Sequence, residues 1–241
     1  MDFLFVFAAS AVTLLLVGPA KAIAHKLRLL DYPSERKIHA SPIPRAGGLV
    51  VIPVVITVCL LRQAVTGKPC LSSLNFPLVG GSVLLIYAAG LADDRWGLRA
   101  RHKFLVQFVS SLAAVLGGAG FSGVAIPYDG ALSLPPFLAS ILTVFWLSGL
   151  TNAYNLLDGM DGLFSTVSGS AALFISFAGF LLGNTEAAAV AAILGASLFS
   201  LIPENSPPAR IFPGDSASMT TGFLLGLLTL LCLRKPSGEV E

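Results

Sequence analysis

Residues 152–163 read N-A-Y-N-L-L-D-G-M-D-G-L and bring two amides, Asn152 and Asn155, within ten residues of two carboxylates, Asp158 and Asp161. Such a set offers oxygen ligands to a cation and hydrogen bonds to a polar substrate. Long apolar runs flank it, 136–150 before and 163–182 after. An Asp at the centre of a membrane helix costs about 2.5–3.5 kcal/mol on insertion scales. Two of them beside two amides therefore belong at a membrane edge or along a wet cavity. A polar turn punctuated by Gly159 and Gly162 accounts for the same letters equally well. The choice turns on whether similar clusters recur on the same face.

Three further clusters do recur. Residues 31–48 read D-Y-P-S-E-R-K-I-H-A-S-P-I-P-R-A-G-G and set Arg36, Lys37, His39 and Arg45 among prolines before a glycine pair. A rigid loop of this kind can meet anionic groups; standing alone, it is better read as a basic loop that sets topology. Residues 93–107 begin with Asp93 and Asp94 and continue through Arg95, Arg99, Arg101, His102 and Lys103 to Gln107. Adjacent carboxylates followed by a cation-rich turn can serve a metal and a phosphate together. The plainer reading is a capped helix start with solvated charges. In residues 207–222, Asp215 stands just before an apolar run, where an N-cap is the plain explanation.

The elements that must position these clusters are membrane helices. Hydrophobic residues make up 55% of the 241 and charged residues 12%, and mean hydropathy is +0.82. A soluble domain of this size has no use for so much apolar side chain. The expected fold is an all-α polytopic membrane protein of about eight spans. The spans are 1–20, 47–61, 77–92, 104–121, 136–150, 163–182, 187–202 and 217–233. They form one transmembrane domain, 1–233, followed by a short polar tail, 234–241. The first run carries Asp2 at its head and its basic residues behind it, which favours an uncleaved helix with its N-terminus outside. Cys59, Cys70 and Cys232 are scattered, form no disulfide framework and read as small apolar filler. A net charge of +2 carries no nucleic-acid signature.

Eight spans permit a parity test. With the N-terminus outside, the segments holding Asp93, Asp158 and Asp215 share the inside with 21–45. That side collects eleven of the fifteen Lys and Arg: Lys21, Lys26, Arg28, Arg36, Lys37, Arg45, Arg95, Arg99, Arg101, Lys103 and Arg210. Arg62, Lys68, Arg234 and Lys235 fall outside. The split follows the positive-inside rule and puts all four clusters on the cytoplasmic face.

Other chemistries drop out. Asp158-Gly-Met-Asp161 lacks the spacing of an EF-hand. There is no Walker lysine and no G-x-S-x-G elbow. His25, His39 and His102 are not spaced for zinc. Carboxylates, amides and phosphate-binding cations at a membrane surface suggest Mg²⁺-assisted chemistry on a diphosphate, with Mn²⁺ as the alternative ion.

The clusters together resemble the signature segments of the polyprenyl-phosphate N-acetylhexosamine-1-phosphate transferases, relatives of phospho-N-acetylmuramoyl-pentapeptide transferase. The matching patterns are R-K-x-H-x-x-P-x-P-R-x-G-G, D-D-x-x-G-L-x-x-x-x-K-F-x-x-Q, N-x-x-N-x-x-D-G-x-D-G-L and P-A-R-I-F-x-G-D, in the family's order from Asp31 to Gly222. The basic first loop is closer to the hexosamine branch. The resemblance implies attack by a polyprenyl phosphate on the sugar-linked phosphate of a UDP-sugar. UMP leaves, and the lipid-linked sugar that starts a cell-envelope glycan remains in a bacterial inner membrane. It implies that Asp215 and Asn155 hold the metal, that Asp93 and Asp94 handle the acceptor phosphate, and that Lys103 contacts the diphosphate. Asn152, Asp158, Asp161, Arg45, Lys37 and His39 fall to the substrates.

Two departures stand against the family pattern. Its G-D-x-G-S becomes Gly214-Asp215-Ser216-Ala217-Ser218, and Ala takes positive φ less readily than Gly. The sequence also stops after the eighth span, before the family's Arg/His loop with its H-x-H-H pattern. Two charge-assisted hydrogen bonds lost there, about 1.5–3 kcal/mol each, would weaken nucleotide-sugar binding on the order of 10²–10⁴-fold. The expectations are weak UDP-sugar binding, a homodimer or a partner that completes the pocket. The alternatives are a non-catalytic family member and, behind it, a transporter. Transporter carboxylates sit near mid-span on broken helices, unlike these.

Overall fold

The computed structural model describes residues 2–33, 41–121, 123–126 and 130–233, the backbone alone for 123–126 and 130–132. Lys37 and His39, with Arg36, lie outside the described residues, as does the tail. Helices dominate because a chain surrounded by lipid must satisfy its backbone donors and acceptors internally.

α1 (Asp2–Leu27) buries Phe5, Ala9, Thr13, Val17, Ala20 and Ala24, a stripe at helical spacing, against α2 (Gly47–Thr66) and α7 (Thr185–Phe199). Hydroxyl pairs tie α1 to α7: Thr13 Oγ1 lies 2.7 Å from Ser197 Oγ, and Ser10 Oγ lies 2.8 Å from Ser200 Oγ in the residue after α7. Between α1 and α2, two-residue strands β1 (Leu30–Asp31) and β2 (Ile43–Pro44) pair antiparallel. α3 (Phe76–Trp96) starts at Asn75, whose side chain accepts from the Leu78 N–H, and has a proline in its first turn. α4 (Ala100–Leu116) follows within three residues, and a hairpin of β3 (Gly123–Ile126) and β4 (Gly130–Ser133) leads to α5 (Pro136–Leu157). α6 (Leu163–Leu181), α7, the short α8 (Ile202–Asn205) and α9 (Gly214–Cys232) complete the order.

Among the described residues, seven segments are long and apolar enough to cross a membrane: α1, α2, α3, α5, α6, α9, and Thr185–Asn205, which joins α7 to α8. The chain is thus an all-helical polytopic membrane protein. The expected fourth span differs. It begins earlier than 104, at Ala100, and stops at Leu116 after 17 residues, because Gly117 and Gly118 follow and Gly118 takes φ +93°. The expected 122–135 loop contains the β3–β4 hairpin, and the expected 203–216 loop takes in all but the first residue of α8 and the first three residues of α9.

α9 is the hub, with 16 of its 19 residues buried. It packs against α2, α3, α5, α6 and α7. Its small residues permit this, since helices in lipid associate through close backbone packing rather than hydrophobic expulsion. Gly90 of α3 sits so near α9 that a Cβ there would come within 2.5 Å of Ser216 Cα. The outward surface is apolar and aromatic, with Phe3, Phe137, Phe145 and Phe174 each more than 70% exposed. In water that would be a liability; against acyl chains it is the ordinary rim of a bundle.

Contacts between loops define two ends. At one, Arg62 meets Asp2 and Ser72 meets Glu186. At the other, Arg45 meets Asp94, Asp94 meets the start of α9, and Asp161 accepts from the Ala209 N–H. The segments bearing Arg45, Asp93, Asp158 and Asp215 therefore share one end.

Candidate active site

The site end is assembled by backbone before any charged side chain takes part. Phe212 N–H donates to Pro44 O at 2.9 Å, and Ala46 N–H donates to Phe212 O at 3.1 Å. These bonds staple the segment after β2 to the chain that enters α9. Gly214 then turns into α9 at φ +77°, a conformation that costs other residues strain. The expected N-cap is not found at Asp215. Pro213 occupies the cap position with no side-chain bond, and Asp215 lies inside the first turn.

Four helices meet on one cation. Lys103 Nζ, in the first turn of α4, lies 2.7 Å from Asp93 Oδ2 at the end of α3. It lies 3.1 Å from Asp215 Oδ2 on α9 and 3.4 Å from Asn155 Oδ1 near the end of α5. The Asn155 amide donates to Asp215 Oδ1 at 2.6 Å and to Ser218 Oγ at 3.0 Å. Asp93 also accepts from the Leu98 N–H through its other oxygen, which fixes the carboxylate toward Lys103. The side chains of Lys103 and Asp215 keep 20% and 18% of their surface exposed, so this cluster is open at the protein surface.

Asp94 faces elsewhere. Its Oδ1 accepts from Asp215 N at 2.8 Å, and its Oδ2 accepts from Ser216 N at 3.0 Å and from Ser216 Oγ at 2.6 Å. Arg45 Nη1 stands 3.6 Å from Asp94 Oδ1, and Arg45 Nη2 donates to Asp31 Oδ1 at 2.6 Å. The solvated-charge reading of the pair fails: Asp93 and Asp94 are each 6% exposed, and they close α3 rather than open a helix.

Asp158 follows α5 directly. Its Oδ1 is buried without a hydrogen-bond partner among the described residues. Burial pushes its carboxyl well above the usual carboxylate range, and the Asp94 charge adds to this, while Arg45 and the Gly214 N–H oppose it. Asp161 is exposed and ties the α5–α6 turn to Ala209 at 3.0 Å. Asn152 lies one turn deeper than Asn155. It forms a reciprocal pair with Gln107, 2.7 Å and 3.3 Å, and donates to Ser148 O at 2.9 Å, so its bonding is taken up within the bundle.

The donor set fits a hard divalent ion. Asp215 and Asn155 present a carboxylate and an amide beside Asp93, and no group of three or more His, Cys, Asp or Glu is arranged for a metal among the described residues. Mg²⁺ suits such a sparse site, because it keeps waters and takes ligands from substrate phosphates. Sequence reasoning overlooked Ser216 as a partner of Asp94, Gln107 as a partner of Asn152, and Asp31 as a partner of Arg45. Asp31 and Gln107 did stand inside the recognised clusters, at the head of 31–48 and the end of 93–107, and Ser216 beside Asp215, but the letters did not pair them.

Residues 76–233 match the model of the family described as Glycosyl transferase family 4. The chain is 30% identical over 230 residues to a "Probable undecaprenyl-phosphate N-acetylglucosaminyl 1-phosphate transferase" of Bacillus subtilis (strain 168), covering 95% of this chain and 63% of that protein. It is 32% identical over 231 residues to a "Decaprenyl-phosphate N-acetylglucosaminephosphotransferase" of Mycobacterium tuberculosis (strain ATCC 25618 / H37Rv), covering 90% of this chain and 57% of that protein. A "Phospho-N-acetylmuramoyl-pentapeptide-transferase" of Chlamydia muridarum is 32% identical over 219 residues, 81% of this chain and 63% of its own. The chain thus spans 57–63% of the length of these relatives.

Proposed function

The chain belongs to Glycosyl transferase family 4, and on that premise we propose that it transfers N-acetylhexosamine-1-phosphate from a UDP-sugar to a polyprenyl phosphate. An acceptor phosphate oxygen forms a bond to the sugar-linked phosphorus. The bond from that phosphorus to the bridging oxygen breaks, and UMP departs with the electron pair. The observation that carries the reading is the meeting of α3, α4, α5 and α9 on Lys103. Two anions must be brought together, so charge placed in advance is the main requirement.

Lys103 binds phosphate oxygen, and Asp93 holds its ammonium in place. Asn155 and Asp215 would hold Mg²⁺ or Mn²⁺, which when bound supplies charge neutralisation at the diphosphate. No strong base is needed, because a phosphate is already largely ionised at neutral pH; orientation is the larger contribution. We assign Asn152, Asp158, Asp161 and Arg45, with Lys37 and His39, to the binding of the substrates. In this reading the site end faces the cytoplasm of a bacterial inner membrane and the N-terminus lies outside.

The test is release of UMP by purified protein in nanodiscs, given undecaprenyl phosphate and one defined UDP-N-acetylhexosamine at a time. UMP and lipid-linked sugar are expected in equal amounts, and only with a divalent ion. Absence of both products with every sugar, at any substrate level, overturns the proposal.

A further inference from the structure

Asp93 and Asp94 are neighbours in sequence, but successive positions on a helix point about 100° apart. Asp93 turns to the open cluster around Lys103. Asp94 turns into the bundle, and its side chain has no exposed surface. An ionised carboxylate offers about four lone-pair positions. Those of Asp94 face Asp215 N, Ser216 N, Ser216 Oγ and the Arg45 guanidinium. Nothing is left with which to meet a substrate.

We infer that Asp94 is the N-cap of α9, supplied across the bundle from α3, and that it serves the transfer by positioning Asp215 rather than by touching a substrate. The inference rests on the transferase reading for its consequence, but not for its geometry. A helix start has unsatisfied N–H groups and the positive end of the helix dipole, and an anion there answers both. Pro213 cannot supply one. Asp94 binds the backbone of the residue whose side chain stands beside Lys103 and Asn155, so the first turn of α9 is held in register with α4 and α5.

Two glycines show how closely the arrangement is built. A Cβ at Gly214 would fall 2.8 Å from both Asp94 oxygens, and one at Gly90 would fall 2.5 Å from Ser216 Cα. Arg45, fastened by Asp31, braces the cap from behind.

The test uses purified protein without substrate. Amide hydrogen exchange is followed at Asp215 and Ser216, and Mn²⁺ binding by EPR, in Asp94→Asn, Asp94→Ala and Asp93→Asn. Exchange at those two amides is expected to quicken about tenfold or more in the Asp94 variants, the loss of a cap of order 1–2 kcal/mol, and to stay unchanged in Asp93→Asn. Mn²⁺ affinity is expected to fall about 10–100-fold in Asp94→Ala, as when a group orienting a ligand is lost. Ser216→Ala keeps the carboxylate and removes one donor, so its effect should be smaller and should not add to that of Asp94→Asn. Unchanged exchange in the Asp94 variants, or additive effects with Ser216→Ala, overturns the inference. Where an Asp94 variant does not fold, Ser216→Ala alone decides, and unaltered exchange at Asp215 counts against the cap. A wild-type protein that binds no Mn²⁺ would count against the metal assignment and leave exchange to judge the cap.

Discussion

Both ends of the bundle bury charge, but in different ways. At the α1–α2 end, Arg62 is 1% exposed and bonds Asp2 Oδ1 at 2.8 Å, with Cys70 Sγ 4.0 Å away. Nearby, Ser72 gives its N–H and its hydroxyl to the two oxygens of Glu186. Each donor group there has its own acceptor, and the contacts read as braces between helices and loops. At the other end Lys103 is shared by three oxygens from three helices, and Asp158 Oδ1 has no partner among the described residues. Closed pairs hold a structure. A cation shared among several oxygens can accept a new charge by redistributing its bonds, which is what binding requires.

Variants at the two ends should therefore fail differently. The largest effect is expected at Asp215: Asp215→Asn should lower transfer by about 10³-fold, with little change in thermal unfolding, and chelation by EDTA should match it. If Arg62→Met costs as much activity in folded protein, the contrast between the ends collapses. Lys103→Ala comes next, with a loss of transfer of about 10²-fold. Because a competing cation leaves the oxygens of Asp215 and Asn155, Mn²⁺ binding to this variant should be as tight as wild type or tighter. Weaker binding by EPR would show that Lys103 supports those ligands instead.

Asp2 offers the reverse signature. Asp2→Ala leaves Arg62 buried without its carboxylate and should destabilise the fold by about 2–3 kcal/mol, discounted for the half-exposed Asp2. Transfer per folded molecule should be unaltered. Arg62→Met should be milder than Asp2→Ala, since the freed Asp2 can reach water. Equal unfolding temperatures for the two would sink this asymmetry. Glu186→Ala, at an exposed contact, should cost less than about 1 kcal/mol, and a larger shift in unfolding would mean that loop contacts at this end are stronger than their exposure suggests.

Much of the architecture was legible because it follows from alternation. Apolar runs of membrane length separated by polar segments fix which segments share an end, and Arg45, Asp94, Asn155 and Asp215 do meet. What could not be read was the direction of a side chain within a cluster. Nothing in the letters D-D says that Asp93 meets α4 while Asp94 meets α9, since that depends on how α3 is rotated against both. The same holds for Arg45, whose carboxylate partner Asp31 lies 14 residues away across a strand pairing of two residues. The β3–β4 hairpin escaped because four-residue strands beside Gly and Pro resemble any connecting loop. The plain alternative for Asp215, a cap at the start of an apolar run, does not hold, because Pro213 stands at the cap position and the acid that binds the first-turn N–H groups, Asp94, comes from another helix.

The burial of α9 has one more consequence. In its apolar window α9 is 83% buried within the protein, whereas the window of α5 is 17% buried. α5 is 22 residues long, about 33 Å, against a hydrocarbon layer of about 30 Å. α5 is thus long enough to span that layer with its outer face against lipid, while α9 is screened from it. Asn155 rides on the first helix and Asp215 on the second. The 2.6 Å bond between them therefore joins a helix that presents most of its surface to lipid to one enclosed almost wholly by protein.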